Sequence, residues 1–318
     1  MKKYIFLASA VIGLAACSSN EEFEQTGSYE INLSSALLVQ TRAAQGIQSE
    51  AFDSGEDVDV FINENTTGTA STTYKQPLTY RTGKGGALTT TTTQYFPQNN
   101  NGVNIIAVYP SGLTTNVKEE ALNFSVQSNQ SDSASYKASD LMFGKPSNDN
   151  PVARTASNIT LEFKHCLSKI NVNIKAGAGV YEDDLQGATV TIYTETNDAT
   201  FNVQTGEVTT VVSQGQAASP FVSLGALTVT EDEGPIGMSG IIIPQDIPAG
   251  SQFITIRTIG QTPTTYSYSI PAGDAKQFES GYAYTYNITV TKSGLTVNSS
   301  SISNWEDGGS VDGDALPN

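Results

Sequence analysis

The chain has 318 residues, of which 32 are acidic and 16 are basic, and its formal net charge at neutral pH is −16. This acidity disfavours nucleic acid and anionic lipid surfaces as partners. The low charged fraction of 15% argues against both intrinsic disorder and a charged helical bundle. Thr, Ser, Asn, Gly and Val fill the chain where strong helix formers would stand, and its length allows two hydrophobic cores.

The chain begins with a predicted export signal. Two lysines precede an apolar run over residues 4–16, which is too short to span a bilayer and is typical of a secretory signal peptide. The run ends in Leu14-Ala15-Ala16-Cys17, which resembles the bacterial lipobox. We therefore expect residues 1–16 to be removed and Cys17 to carry acyl chains, two or more of which anchor a protein stably. The alternative is an ordinary secreted protein with a cysteine at this place by chance.

Residues 17–28 are polar and acidic and are predicted to form a tether. Residues 29–42 are predicted to hold the first strand. Its apolar residues share one parity, broken only at Ser35, and this period of two indicates a strand with one buried face. The residues of that face are Tyr29, Ile31, Leu33, Leu37 and Val39.

From residue 43 to Trp305 the chain consists of short alternating segments separated by Gly and Pro, which predicts an all-β protein of β-sandwich architecture. A turn-rich break at residues 148–151 places a predicted boundary between an N-terminal domain, 43–156, and a C-terminal domain, 157–305. Residues 133–139 are compatible with one turn of helix. The predicted strands of the first half are 58–62, 94–96, 103–109, 122–126 and 140–144, and the second half opens with 159–165 and 169–174.

The sequence nominates no catalytic, cofactor-binding or metal-binding residue. His165 is the one histidine in the chain, and its strand neighbour Cys166 should point to the opposite face, which disfavours Cys–His catalysis. The acidic clusters at residues 53–59, 231–233 and 312–314 do not match the ligand spacing of a calcium-binding EF-hand loop. We expect these carboxylates to be solvated loop acids.

Several phrases together resemble the fimbrillin family, the type V pilins. They occur in the family's order along nearly the whole predicted mature chain. The phrases are the lipobox at Cys17, Thr41-Arg42-Ala43, residues 106–110 (IAVYP), 140–144 (DLMFG), 161–170 (LEFKHCLSKI), 243–245 (IPQ), 278–284 (FESGYAY) and 302–305 (ISNW). The resemblance implies an all-β fold of two tandem transthyretin-like β-sandwich domains, in a lipoprotein precursor exported to the outer membrane and the fimbrium.

The resemblance also implies how such a precursor assembles. A trypsin-like protease cuts behind an arginine that follows the first strand, and the lost strand is replaced by one from another subunit. In this sequence the cut would fall between Arg42 and Ala43, and Tyr29–Val39 would be the removable strand. Backbone hydrogen bonds would then join the subunits by β-strand addition. The alternative is a permanent first strand and an incidental arginine.

The acidic, Gly-rich tail at residues 306–318 lacks the alternation of a donor strand. This favours a tip, accessory or anchor subunit over a main stalk subunit. The alternative function is a non-polymerising surface lipoprotein that binds glycans. In either case a candidate partner is a host or bacterial surface glycan or protein. Its candidate sugar-stacking residues are Tyr266, Tyr268, Tyr282, Tyr284 and Tyr286.

Overall fold

The computed structural model describes residues 29–37, 52–66, 77–147, 151–212, 220–229, 235–273 and 275–305. Four residues with predicted roles, Cys17, Val39, Arg42 and Ala43, lie outside these ranges.

The described chain is almost entirely β-structure, which confirms the all-β prediction. Its strands are β1 (Leu33–Leu37), β2 (Asp57–Glu64), β3 (Leu78–Thr82), β4 (Leu88–Thr89), β5 (Val103–Tyr109), β6 (Leu122–Ser125), β7 (Met142–Pro146), β8 (Ile159–His165), β9 (Ser168–Ala176), β10 (Thr189–Tyr193), β11 (Asp198–Phe201), β12 (Val208–Thr210), β13 (Phe221–Ala226), β14 (Ile236–Ile242), β15 (Gln245–Ile247), β16 (Gln252–Arg257), β17 (Thr265–Ser269), β18 (Lys276–Phe278), β19 (Tyr282–Thr291) and β20 (Gly294–Asn304).

Helical structure is confined to short segments in this part of the chain. Helix α1 (Ser133–Ser139) begins where the Asp132 side chain accepts a hydrogen bond from the Ser135 backbone N–H, as an N-cap does. Helix α2 (Glu182–Leu185) spans four residues, and a 3₁₀ turn occupies Lys84–Gly86. Among the described residues no helix has the length and apolar character needed to cross a bilayer.

The first large sheet has seven strands in the order β1-β8-β7-β5-β2-β3-β4. Strand β1 pairs with β8 in parallel, whereas the other neighbours in this sheet are antiparallel. Ser34 of β1 also forms a bridge with Ala87, directly before β4. The two edge strands of the sheet therefore meet, and β1 closes the sheet into a ring around one hydrophobic core.

The remaining strands form a sandwich and two small sheets. The four-stranded sheets have the orders β13-β10-β16-β17 and β14-β9-β19-β20, and three-stranded β12-β11-β6 and two-stranded β15-β18 lie beside them. Strands β13 and β14 lie close to each other at one side of the sandwich, and strands β17 and β20 lie close to each other at the other side. A second and larger core fills the space between these sheets.

Strand pairing crosses the predicted boundary between residues 156 and 157. Strand β8 lies on its C-terminal side but pairs with β1 and β7, while β6 lies on its N-terminal side but pairs with β11. Phe61, Val108 and Phe143 belong to the larger core, although their strands are part of the first sheet. The exact division of the chain into two domains stays a prediction.

Several predicted strands have nearly their observed bounds. Strands β5 and β8 match the predicted residues 103–109 and 159–165, and helix α1 matches residues 133–139. The predicted strand at residues 94–96 is wrong: within it only Tyr95 forms an isolated bridge, with Glu30. Residues 94–96 pair with the short segment before β1, which offers too few partners to build a ladder.

Candidate functional site

Strand β1 occupies a space bounded on both sides by other segments. On one side it pairs with β8, and on the other Ser34 bridges Ala87. We call this space, between β8 and Ala87, the first-strand slot. Strand β1 pairs with β8 over its whole length and forms one bridge on its other edge, whereas an ordinary edge strand has a partner on one edge.

The residues just before β1 are also held through their backbone. The Ile31 N–H donates to the Gln94 carbonyl at 2.8 Å, and the Phe96 N–H donates to the Tyr29 carbonyl at 2.8 Å. Such backbone bonds do not depend on the identity of the side chains that the segment carries.

The inner face of this segment is aliphatic, as its parity predicts. Ile31, Leu33 and Leu37 are 4%, 5% and 8% exposed. Burying a side chain of this kind contributes roughly 1.5–3 kcal/mol. Tyr29 is partly buried against the same core. The core residues contributed by β8 are Ile159, Leu161 and Phe163.

The outer face of the slot is polar. The Asn158 side-chain amide donates to the Ser34 hydroxyl at 2.6 Å, and the Ser34 and Thr160 hydroxyls lie 3.2 Å apart. The Arg154 guanidinium lies 4.4 Å from the centroid of the Tyr29 ring, in cation–π contact. The slot therefore combines main-chain bonds, an aliphatic inner face and a polar rim.

A second notable group is a buried cluster of four side chains, Asp140, His165, Lys169 and Trp305, which we call the clasp. His165 Nδ1 lies 2.7 Å from Asp140 Oδ1, and neither side chain is exposed. The His165 ring stacks on the Trp305 indole with centroids 4.0 Å apart and planes 2° apart. The Lys169 ammonium lies 5.8 Å from the Trp305 ring centroid. The clasp joins the ends of β8 and β20 to the start of β9.

Burial makes the positive charge on Lys169 costly. The Lys169 residue is 2% exposed. Desolvation lowers the pKa of Lys169 to about 8, and the nearby Asp140 carboxylate opposes that shift. The clasp thus contains a lysine that titrates well below its usual pH range.

Hydrogen bonds fix the turn between β8 and β9 around the clasp. Ser280 Oγ donates to the Cys166 carbonyl at 2.8 Å, and Ser168 Oγ donates to the Glu279 carbonyl at 2.7 Å. The Trp305 backbone N–H donates to the Gly281 carbonyl at 2.6 Å. Four of the phrases that carry the fimbrillin resemblance, at residues 140–144, 161–170, 278–284 and 302–305, therefore converge here. Sequence reasoning listed these phrases separately and missed their convergence.

The clasp does not offer Cys–His chemistry at a surface. Both His165 and Cys166 are buried, the imidazole faces Asp140, and the Cys166 thiol donates to the Lys164 carbonyl at 3.7 Å. The arrangement packs the His165 and Cys166 side chains inside the fold.

The acidic loop at residues 53–59, whose last three residues open strand β2, differs from the expectation of solvated acids. The Lys137 ammonium lies 2.7 Å from both Asp53 and Glu56, and Arg81 lies 3.0 Å from Asp57. Basic side chains from other elements thus neutralise part of this loop. Among the residues that the structure covers, no group of three or more His, Cys, Asp or Glu side chains could hold a metal ion.

The five tyrosines considered for sugar stacking do not form one exposed face. Tyr284 and Tyr286 are 2% and 3% exposed and belong to the larger core. Tyr268 lies against Tyr286, with ring centroids 5.8 Å apart, and so fills space between β17 and β19. The period-two spacing of these tyrosines reflects sheet packing.

Comparison with known proteins places the chain in a family. A family model described as Fimbrillin-like matches residues 41–305. A protein of Bacteroides uniformis named as a candidate fimbrium subunit, Fim1C, is 28% identical over 322 residues, covering 97% of each chain.

Two crystal structures share the fold. A candidate cell adhesion protein of Bacteroides uniformis has a TM-score of 0.65 and 24% identity, covering 87% of this chain and 99% of its own. Another, from Bacteroides ovatus, has a TM-score of 0.66 and 22% identity, covering 88% and 98% respectively. Because the family model spans most of the sequence, the chain belongs to the fimbrillin-like family.

Proposed function

We propose that this chain is a fimbrial subunit whose first strand is a removable cap. The observation that carries the proposal is the first-strand slot itself. Strand β1 lies between β8 and Ala87, is held by backbone hydrogen bonds, and inserts aliphatic side chains into the core. These are the interactions through which a strand from another chain can complete a sheet.

The proposed sequence of events begins with export. Residues 1–16 are removed, and the acylated Cys17 anchors the precursor at the outer membrane through the tether at 17–28. Proteolysis between Arg42 and Ala43 then separates residues 17–42 from the rest of the chain. A strand of another fimbrial subunit replaces β1 in the slot and joins the two subunits.

The tail at residues 306–318 supports a tip, accessory or anchor position. Its large aliphatic residues are Val311 and Leu316, and the odd spacing between them would place them on opposite faces of a strand. Such a tail is a poor donor for a slot with one apolar face, so the subunit would accept a strand without donating one of the same kind.

Limited proteolysis of the purified precursor tests the cap. We expect a trypsin-like protease to cut between Arg42 and Ala43 and to leave a resistant core whose N-terminus is Ala43, as determined by mass spectrometry. An Arg42→Gln variant should resist this cut and keep the same circular dichroism spectrum. Digestion of the whole chain without a resistant core, or survival of the Arg42–Ala43 bond, would contradict the proposal.

Mass spectrometry of protein extracted from cells tests the anchor. The precursor is expected to begin at an acylated Cys17, and a Cys17→Ser variant should lose the acyl mass. An unmodified Cys17 would leave a secreted protein without a lipid anchor.

A further inference from the structure

Ser35 interrupts the aliphatic inner face of β1. In the parallel register it lies beside Leu161, between Leu33 and Leu37. Register partners in a sheet direct their side chains to the same face, and Leu161 is fully buried in the core. Ser35 is therefore a small polar residue on the side of the strand where an aliphatic residue is expected.

The 3₁₀ turn at Lys84–Gly86 explains the small residue. Ser35 Oγ donates to the Gly86 carbonyl at 3.2 Å. Gly86 has a positive φ of +80°, and a Cβ atom added to it would lie 2.3 Å from the Ser35 carbonyl oxygen. The backbone of the turn thus touches the backbone of β1 at this position. A side chain longer than serine, directed like the Ser35 hydroxyl, would collide with the Gly86 carbonyl and leave it without its donor.

We propose that the first-strand slot selects its incoming strand by the size of one residue. The strand must carry large aliphatic residues at the positions of Leu33 and Leu37 and a small residue, with serine preferred, at the position of Ser35. This inference rests on the proposed function, because it specifies which strand can replace β1. The Gly86 carbonyl, which accepts the hydrogen bond from the Ser35 hydroxyl, sets the size limit.

The occupant that fits is an extended segment of a different fimbrial subunit, with the pattern aliphatic–any–small–any–aliphatic. The polar rim of the slot favours a polar residue at the Ser34 position, since Asn158 and Thr160 face it. A second copy of this chain does not supply such a segment from residues 306–318, because Val311 and Leu316 differ in parity. Partner choice would then depend on shape and hydrogen bonding at one position.

Hydrogen exchange on the full-length chain tests the contact at Gly86. Gly86→Ala should increase exchange at the β1 amides by about tenfold or more, because the turn must move away from the strand. The matched control is Gly85→Ala: Gly85 also has a positive φ, +71°, but no atom lies within 4 Å of its added Cβ. Equal exchange at β1 in the two variants would show that the turn does not press on the β1 backbone, and would overturn the size limit that depends on this contact.

A peptide competition tests the selection itself. The full-length chain is treated with the trypsin-like protease in the presence of synthetic peptides covering residues 29–40, and native mass spectrometry identifies the strand retained. The native peptide and an Ala36→Leu peptide should be retained comparably, because Ala36 lies on the outer face. A Ser35→Leu peptide should be retained about tenfold less.

The outcomes separate the two proposals. If the native peptide enters the slot and the Ser35→Leu peptide is retained to the same extent, the size rule is overturned. The proposed strand exchange is then still supported. Failure of the native peptide to enter the slot would contradict the proposed function, and the size rule with it.

Discussion

The first-strand slot and the clasp hold opposite ends of the described chain by different means. The slot holds β1 through backbone bonds and a few aliphatic contacts, which many sequences could provide. The clasp holds the end of β20 through an aligned Asp140–His165 pair and a stacked Trp305, which depend on particular side chains. If β1 is exchanged as proposed, the first arrangement suits a strand that leaves the fold, and the second suits a strand that stays.

The largest expected change in stability is at the clasp. His165→Ala should lower the free energy of unfolding by about 3–5 kcal/mol, because it leaves the buried Asp140 carboxyl without its imidazole hydrogen-bond partner and opens a cavity beside the Trp305 ring. Urea unfolding followed by fluorescence measures this well, since Trp305 is the one tryptophan in the chain. The control is Lys164→Ala at the exposed neighbouring position, for which we expect roughly 0.5 kcal/mol or less. A similar decrease in the free energy of unfolding in the two variants would show that the clasp does not stabilise the fold more than an exposed side chain does.

The pH dependence of stability should also arise at the clasp. The pKa of Lys169 is about 8 in the folded chain against 10.5 for an ordinary lysine. Between these values the unfolded chain binds more protons, so the free energy of unfolding rises with pH, by about 3 kcal/mol over the whole interval. Above pH 10 buried tyrosines such as Tyr286, whose pKa burial raises, act in the opposite direction.

The lysine variant isolates this contribution. Lys169→Met removes the titrating group, so the difference between native and variant stability should change steadily from pH 8 to pH 10 in urea titrations. Parallel stability curves for the two proteins would mean that Lys169 does not titrate in this range.

A smaller and more local effect is expected at the slot. Leu33→Ala removes buried aliphatic surface from β1 and should lower the free energy of opening that strand by about 2–3 kcal/mol. Hydrogen exchange should report this at the β1 amides, while the emission of Trp305 stays unchanged. Ala36→Ser, on the outer face, is the matched control. An equal increase in exchange at β20 would show that β1 cannot open separately from the rest of the chain.

The smallest predicted effect concerns the entrance to the slot. Arg154→Gln removes the cation from the face of Tyr29. It should lower the free energy of opening of the segment before β1 by about 0.5–1 kcal/mol. Exchange at the Ile31 amide measures it. Arg257→Gln, at the exposed end of β16 in a four-stranded sheet that does not include β1, serves as the control and should leave that amide unchanged. The same increase in both variants would exclude a specific role for Arg154.

The sequence predicted the inner face of the first strand better than it predicted the surroundings. The parity of Ile31, Leu33 and Leu37 was sufficient, because a strand with one buried face must alternate. The partner strand β8 lies far along the chain, with Ser34 and Thr160 separated by 126 positions. Its parallel direction and the bridge to Ala87 leave no local pattern, so neither could be predicted.

The acidic loop and the clasp show the same limit. Asp53 and Glu56 looked like solvated acids because their cationic partner, Lys137, lies on a helix from a distant part of the chain. His165 and Trp305 each stand in a phrase that marks the family, yet nothing in either phrase indicates that their rings stack.

The sequence by itself determined the all-β fold, the alternation of individual strands and the family, because these depend on composition, short periods and local phrases. The tertiary structure decided which strands pair. It also decided that β1 closes the sheet by bridging Ala87, and that Gly86 contacts the backbone of β1 at Ser35. Those features depend on contacts between distant segments, whose choice is made by the packing of the whole core and not by any local run of residues.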